Sequence, residues 1–166
     1  MRNKKTVITY GTFDLFHIGH LNLFKRLKLL GSRLIVAVST DEFNAIKGKK
    51  SIIPFEHRIE IVRSIKYVDL AIPEYSWEQK LDDIKKYNVD IFAIGDEWKG
   101  KFDYLREYCE VIYLPRTEGV SSSDIKQYLN LLSSLSELIK VFSSIPKEEM
   151  VRMFEILEQI KINLDK

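Results

Sequence analysis

The chain is predicted to fold as a doubly wound α/β protein, and three features carry that reading. Five short runs rich in β-branched and aromatic residues recur along its first two thirds. Segments with helical apolar spacing lie between them. The runs themselves are almost continuously apolar, as suits strands of a parallel sheet covered on both faces. Together these features describe a Rossmann-like, five-stranded parallel sheet with helices on both faces, followed by a helical C-terminal extension.

The first strand is expected over Thr6–Tyr10 and the first helix over His20–Leu30, where Leu21, Phe24, Leu27 and Leu30 share a stripe and Gly31 is the stop. Leu34–Ser39 reads as the second strand, Phe55–Ile65 as a helix and Val68–Ile72 as the third strand. Trp77–Tyr87 is helical, Ile91–Ile94 is the fourth strand, and Lys101–Tyr108 is a shorter helical candidate. Val111–Leu114 completes the sheet, and Ser122–Leu132 opens a helix on a serine cap. The texture then changes, so one domain is expected over 1–132 and an extension over 133–166. In the extension, Ser144 and Pro146 suit a helix start, with Glu148 and Glu149 near its positive end. Met150, Met153, Leu157, Ile160 and Leu164 form one apolar stripe, which fits packing or self-association, and a homodimer is expected.

Composition narrows the function classes. The 26 basic and 24 acidic residues leave a net charge of +2, which gives no case for a nucleic-acid partner or membrane insertion. The single cysteine, Cys109, cannot form an internal disulfide, and in EYCEVIYL it reads as a buried inert thiol. The apolar run in MRNKKTVITYG is too short for a signal peptide, so a cytoplasmic protein is expected.

In parallel sheets of this kind, ligands bind beyond the carboxyl ends of the strands, where strand order reverses. The unusual sequences fall at those exits: YGTFDLFHIGH after the first strand, STDEFNAIKGKK after the second, GDEWKGKFD after the fourth and PRTEGVSSS after the fifth. His17 and His20, three residues apart at a helix start, share a face with free backbone N–H groups. Gly11 allows close backbone approach, and Gly19 lets a bulky group sit against the helix start. Zinc on Asp14, His17 and His20 is the rival reading. Structural zinc takes four ligands, and only His57 and Cys109 remain as further histidine or cysteine, while a catalytic three-ligand site stays open. Lys47, Lys49 and Lys50 at one exit, and Arg116 with Ser121–Ser123 at another, suit a polyphosphate better, so no protein-held metal is expected. Arg58, in EHR, is expected to contact phosphate or to pair with Glu56 or Glu60.

GTFDLFHIGH matches the G-T-F-D-x-x-H-x-G-H motif of the HxGH nucleotidyltransferase superfamily, and RTEGVSSSDIK resembles its second motif. STDEFN, KGKK, EHR, KYVD, PEYSWEQK, GDEWKGKFD and YLPRTEG together resemble one branch, the bacterial glycerol-3-phosphate cytidylyltransferases, from about residue 5 to residue 130. The resemblance implies a nucleotidyltransferase domain over 1–132 that moves CMP from CTP, as its Mg²⁺ complex, onto a small phosphorylated alcohol, glycerol 3-phosphate. CDP-glycerol for cell-envelope polymer synthesis and pyrophosphate would be the products. It assigns catalysis to His17, His20, Lys47 and Arg116. Nucleotide contacts would come from Gly11, Thr12, Phe13, Asp14, Asp96, Thr117, Ser121 and Ser122, with the histidines and Arg116. The acceptor would meet Asp41, Lys47, Lys66, Trp77 and Lys80. Departures are Lys66 for the branch's arginine, Glu97 for a second aspartate, and Ser122 and Ser123 for threonines. The alternatives are cytidylyl or adenylyl transfer to another alcohol or sugar phosphate, and a nucleotide-binding module without turnover.

Overall fold

The computed structural model describes residues 4–164, with side chains described to residue 161. It divides into two compact units, Met1–Ser122 and Ser123–Lys166. In the first, strands β1 (Thr6–Gly11), β2 (Arg33–Ser39), β3 (Leu70–Glu74), β4 (Ile91–Gly95) and β5 (Glu110–Leu114) form an all-parallel sheet in the order β3-β2-β1-β4-β5. The order reverses between β1 and β4. Helices α1 (Ile18–Leu30), α2 (Asp41–Ile46), α3 (Phe55–Arg63) and α4 (Gln79–Tyr87) connect the strands, with 3₁₀ turns at Asp96–Trp98 and Asp103–Glu107.

Strand alternation splits the core between the two faces. Val7, Leu34, Val36 and Val38 pack with Phe24 and Leu27 of α1 and with Ile59 and Val62 of α3. Ile8, Tyr10, Ile35 and Ala37 face the other way, towards Ile84 of α4 and Phe102 and Leu105 beyond β4. Helices therefore cover both faces, as a doubly wound sheet requires. Aspartates fasten strand starts: Asp90 accepts from the Thr6 amide at 2.7 Å and Asp69 from the Leu34 amide at 2.6 Å.

Local differences from the sequence expectation matter for the site. The third strand begins and ends two residues later than Val68–Ile72, because Pro73 is tolerated on an edge strand, where its missing N–H breaks no ladder. Within STDEFN, Ser39 ends β2 and Asp41 begins a helix, α2, with the Thr40 hydroxyl accepting from the Phe43 amide at 3.2 Å. Trp77 precedes α4 instead of starting it, and the Lys101–Tyr108 segment holds only a 3₁₀ turn.

The second unit consists mainly of α5 (Ser122–Ser144), which begins on the last residue of the first unit, and α6 (Lys147–Leu164). α5 runs unbroken past residue 132. The Glu149 and Met150 amides bond back to the Pro146 carbonyl, so α6 starts where the sequence places it. Phe142 meets Met150, Met153, Phe154 and Leu157 across the hairpin groove, yet Leu157 and Ile160 stay about half exposed. The Leu164 side chain, last of the expected stripe, lies outside the described residues. No described helix is long and apolar enough to cross a membrane.

Candidate active site

His17 and His20 form the N-terminal cap of α1. His17 is the N-cap residue, its Nδ1 accepting from the Gly19 amide at 3.1 Å, while His20 Nδ1 accepts from the His17 amide at 3.4 Å. This is a capping box built from two imidazoles. The rings stack at 3.9 Å. Because both Nδ1 atoms accept, both Nε2 atoms carry the hydrogens and can donate. Burial lowers the His17 pKa, and burial with the neighbouring His17 charge pushes His20 down to about 4. Both shifts favour the neutral ring, a hydrogen-bond donor rather than a cation. A Cβ at Gly19 would lie 2.8 Å from His17 Cε1; the bulky group that this glycine admits is the imidazole itself.

The loop between β1 and α1 is held in an unusual shape. Phe13 (φ 51°) and Leu15 (φ 49°) both adopt left-handed backbone conformations that are uncommon for such residues. The Phe13 ring folds under Gly11, where a Cβ would come within 2.7 Å, and meets His20 edge-on at 5.4 Å. Asp14 is buried and accepts from the Leu15, Ile52 and Ile53 amides at 3.1, 2.8 and 2.9 Å. It thereby ties the histidine loop to the segment after the lysine-rich turn.

Arg58 does not pair with Glu56 or Glu60. It is fully buried and donates to the carbonyls of Ile53, Thr12 and Ser39 at 2.8, 2.6 and 2.8 Å, and to Asp41 at 2.6 Å. One guanidinium thus gathers the exits of β1 and β2 and the start of α2. Asp41 is occupied by this pairing and by the Phe55 amide at 2.9 Å. The Thr12 hydroxyl donates to Asn44 at 3.0 Å, and Asn44 to Ser51 at 3.0 Å.

Lys47 caps the C-terminus of α2, and its ammonium turns inward: it donates to Ser39 Oγ at 2.7 Å and lies 3.7 Å from Glu74 Oε2. Burial pushes its pKa down to about 8. Ser39 donates to Glu74 at 2.5 Å, and Lys80 to the other Glu74 oxygen at 2.5 Å. Lys80 is buried against the rings of Tyr10, Trp77 and Phe102, 4.5, 4.8 and 5.4 Å away. Lys101 stands 4.6 Å from the Trp77 ring, so cations and aromatics interleave across this floor.

At the β4 and β5 exits, Arg116 pairs with Glu97 at 3.2 Å, the arginine largely in solvent and the glutamate partly so, and Asp96 is exposed beside them. Thr117 and Ser121 are half-buried in the following loop. Ser122 reaches the first motif, donating to the Asp14 carbonyl at 2.8 Å with its Oγ 3.3 Å from His17 Nε2. Lys66 is the exception. It follows α3, which runs back from the strand exits towards the start of β3, so it lies at the opposite end of the sheet from the other expected acceptor contacts. Sequence reasoning missed Ser39, Asn44 and Glu74, and the backbone partners of Arg58. Among the described residues no group of three or more His, Cys, Asp and Glu is placed to hold a metal.

Residues 8–128 match the model of the cytidylyltransferase-like family. A glycerol-3-phosphate cytidylyltransferase of Bacillus spizizenii is 61% identical over 123 residues, covering 74% of this chain and 95% of that protein. One from Staphylococcus aureus is 57% identical over 125 residues, 75% of this chain and 95% of that protein. Among solved structures, a lipopolysaccharide core biosynthesis protein from Thermoplasma volcanium is similar with a TM-score of 0.59 at 25% identity, covering 69% of this chain and 98% of that one.

Proposed function

The chain belongs to the cytidylyltransferase-like family, and on that premise we propose that it transfers CMP from CTP to glycerol 3-phosphate, giving CDP-glycerol and pyrophosphate. A phosphate oxygen of the acceptor attacks the α-phosphorus of CTP, and the bond to the bridging oxygen breaks as pyrophosphate leaves with the electron pair. That nucleophile is ionised at neutral pH, so no general base is needed. The work of the protein is positioning and stabilising charge as two anions meet.

The observation that carries this reading is Ser122 of the second motif standing against His17 of the first. The Nε2–H groups of His17 and His20 would donate to phosphate oxygens, with that of His17 turning from Ser122, and Gly11, Thr12, Phe13 and Asp14 would shape the loop beside the chain. Arg116, Thr117, Ser121 and Ser122 would receive the β- and γ-phosphates, and Asp96 would border the nucleotide. Lys47 would reach the α-phosphate after leaving Ser39, while Asp41, Trp77 and Lys80 line or support the acceptor pocket. Mg²⁺ would arrive bound to the triphosphate, as part of the substrate. A cytoplasmic setting and a homodimer formed through the apolar faces of α5 and α6 belong to the same proposal.

Incubation with CTP, Mg²⁺ and glycerol 3-phosphate should release pyrophosphate, with CTP preferred to ATP at equal concentration. A panel of alcohol and sugar phosphates reads the acceptor at the same time. Absence of turnover with every nucleotide–acceptor pair would leave only a binding module.

A further inference from the structure

Glu74 has no part in the reaction just described, yet its carboxylate is almost wholly buried and contacts three groups from three elements. Lys80 of α4 fixes one oxygen; Ser39 of β2 and Lys47, at the end of α2, take the other. Lys80 cannot turn away, because Tyr10, Trp77 and Phe102 enclose it. Lys47 can: it sits at a helix end beside Gly48, which has a left-handed φ of 68° and open space within 4 Å of where a Cβ would stand. We propose that Glu74 is a positioning residue of the transfer reaction, seated on the caged Lys80 and docking Lys47 through Ser39 until substrate phosphate draws that lysine out. The proposal rests on the functional reading above for what finally receives Lys47, but the docking itself does not.

The charges around the floor explain why a carboxylate is needed. Lys47, Lys49, Lys80 and Lys101 all bear on it from α2, the turn after α2, α4 and the loop after β4. Facing them are Glu74 on β3 and, beyond Lys80, Asp83 and Glu78 around α4, with Asp83 already accepting from the Tyr10 hydroxyl of β1 at 2.9 Å. Burial and the neighbouring Lys49 and Lys80 charges both favour loss of the Lys47 proton, and Glu74 opposes them. A neutral amine would be a poor partner for a phosphate. Holding Lys47 on Glu74 keeps it charged and in reserve beside the strand exits.

The test is Glu74→Gln, which keeps size and one acceptor while removing the charge. The titration midpoint of Lys47, read by NMR of a ¹³Cε-labelled lysine in the full chain, is expected to fall by at least one unit from about 8. The alkaline limb of the kcat/KM profile should move down with it, and Glu74→Asp should restore part of both. Ser39→Ala should shift the midpoint in the same direction by less, which keeps the test alive if the glutamine variant does not fold. An unchanged Lys47 midpoint in whichever variant folds, or a loss of activity equal at every pH, overturns the proposal. If the midpoint moves but the wild-type chain transfers nothing from CTP, the docking stands and the functional reading falls.

Discussion

Ser122 and His17 lie 105 residues apart in sequence, yet the serine Oγ stands 3.3 Å from the imidazole Nε2. The same hydroxyl donates to the Asp14 carbonyl, so it is free to accept from His17. The two motifs are thus one hydrogen-bonded unit before any nucleotide binds. Pre-assembly of this kind spares the reaction the cost of bringing its donors together.

His17 has two separable tasks, one for each ring nitrogen. His17→Asn keeps a good N-cap acceptor for α1 but has no Nε2 donor, so it should lose about 10²–10³ in kcat with the melting temperature nearly unchanged. His17→Ala should lose the same activity and about 1 kcal/mol of stability besides. Pyrophosphate release and thermal melts distinguish the two; an active asparagine variant would contradict the donor role.

Acid should destabilise the unliganded protein through His20. Its folded value of about 4 lies below the ordinary 6.5, so the unfolded chain takes the proton first. The contribution is complete above pH 6.5 and is lost as pH falls towards 4, amounting to about 3 kcal/mol at most. Urea midpoints at pH 7 and 4.5 should therefore diverge less in His20→Gln than in wild type. An equal divergence would show that His20 is not the group responsible.

Arg58→Lys should be far from conservative. An ammonium cannot reproduce the fork that serves three carbonyls and Asp41, and buried acceptors left unpaired are costly. A loss of about 3–5 kcal/mol is expected, with KM rising for both substrates because the exits of β1 and β2 lose their common tie. Chemical denaturation and steady-state kinetics check the two effects together.

Gly19→Ala sets helix propensity against ring placement. The alanine should favour α1 by up to about 1 kcal/mol, but its Cβ would press on His17 Cε1 and Nδ1 at 2.8 and 2.9 Å. Turnover should drop more than about tenfold, on the scale of a misplaced catalytic group, while the protein stays folded by circular dichroism.

Light scattering should give a dimer mass for the full chain. Leu157→Glu combined with Ile160→Glu, two half-exposed positions on α6, should yield monomers. A dimer mass that survives both charges would place self-association elsewhere.

Periodicity and punctuation made the architecture legible: every strand and most helices fall within a few residues of where apolar runs, glycines and capping residues put them. The histidines, Asp14 and the serines were legible too, since their spacing within short motifs is local information. Glu74 was not, because Pro73 made the third strand look finished at Ile72 and left the glutamate in an apparent loop. Arg58 misled for a related reason. Its sequence neighbours are acidic, but its partners are backbone carbonyls from three distant segments, and a carbonyl leaves no mark in a sequence. Lys66 came from motif likeness alone, and the direction of α3 sets it at the far end of the sheet.

The two stacked imidazoles owe their seats to amides two and three residues away. The lysine-and-aromatic floor, by contrast, is assembled from pieces of chain scattered between Tyr10 and Phe102. The paired imidazoles are therefore inherited as a single contiguous cassette, whereas the floor beside them is distributed. Descendants of such a chain can drift towards new acceptors one floor residue at a time, with the cassette left as it was.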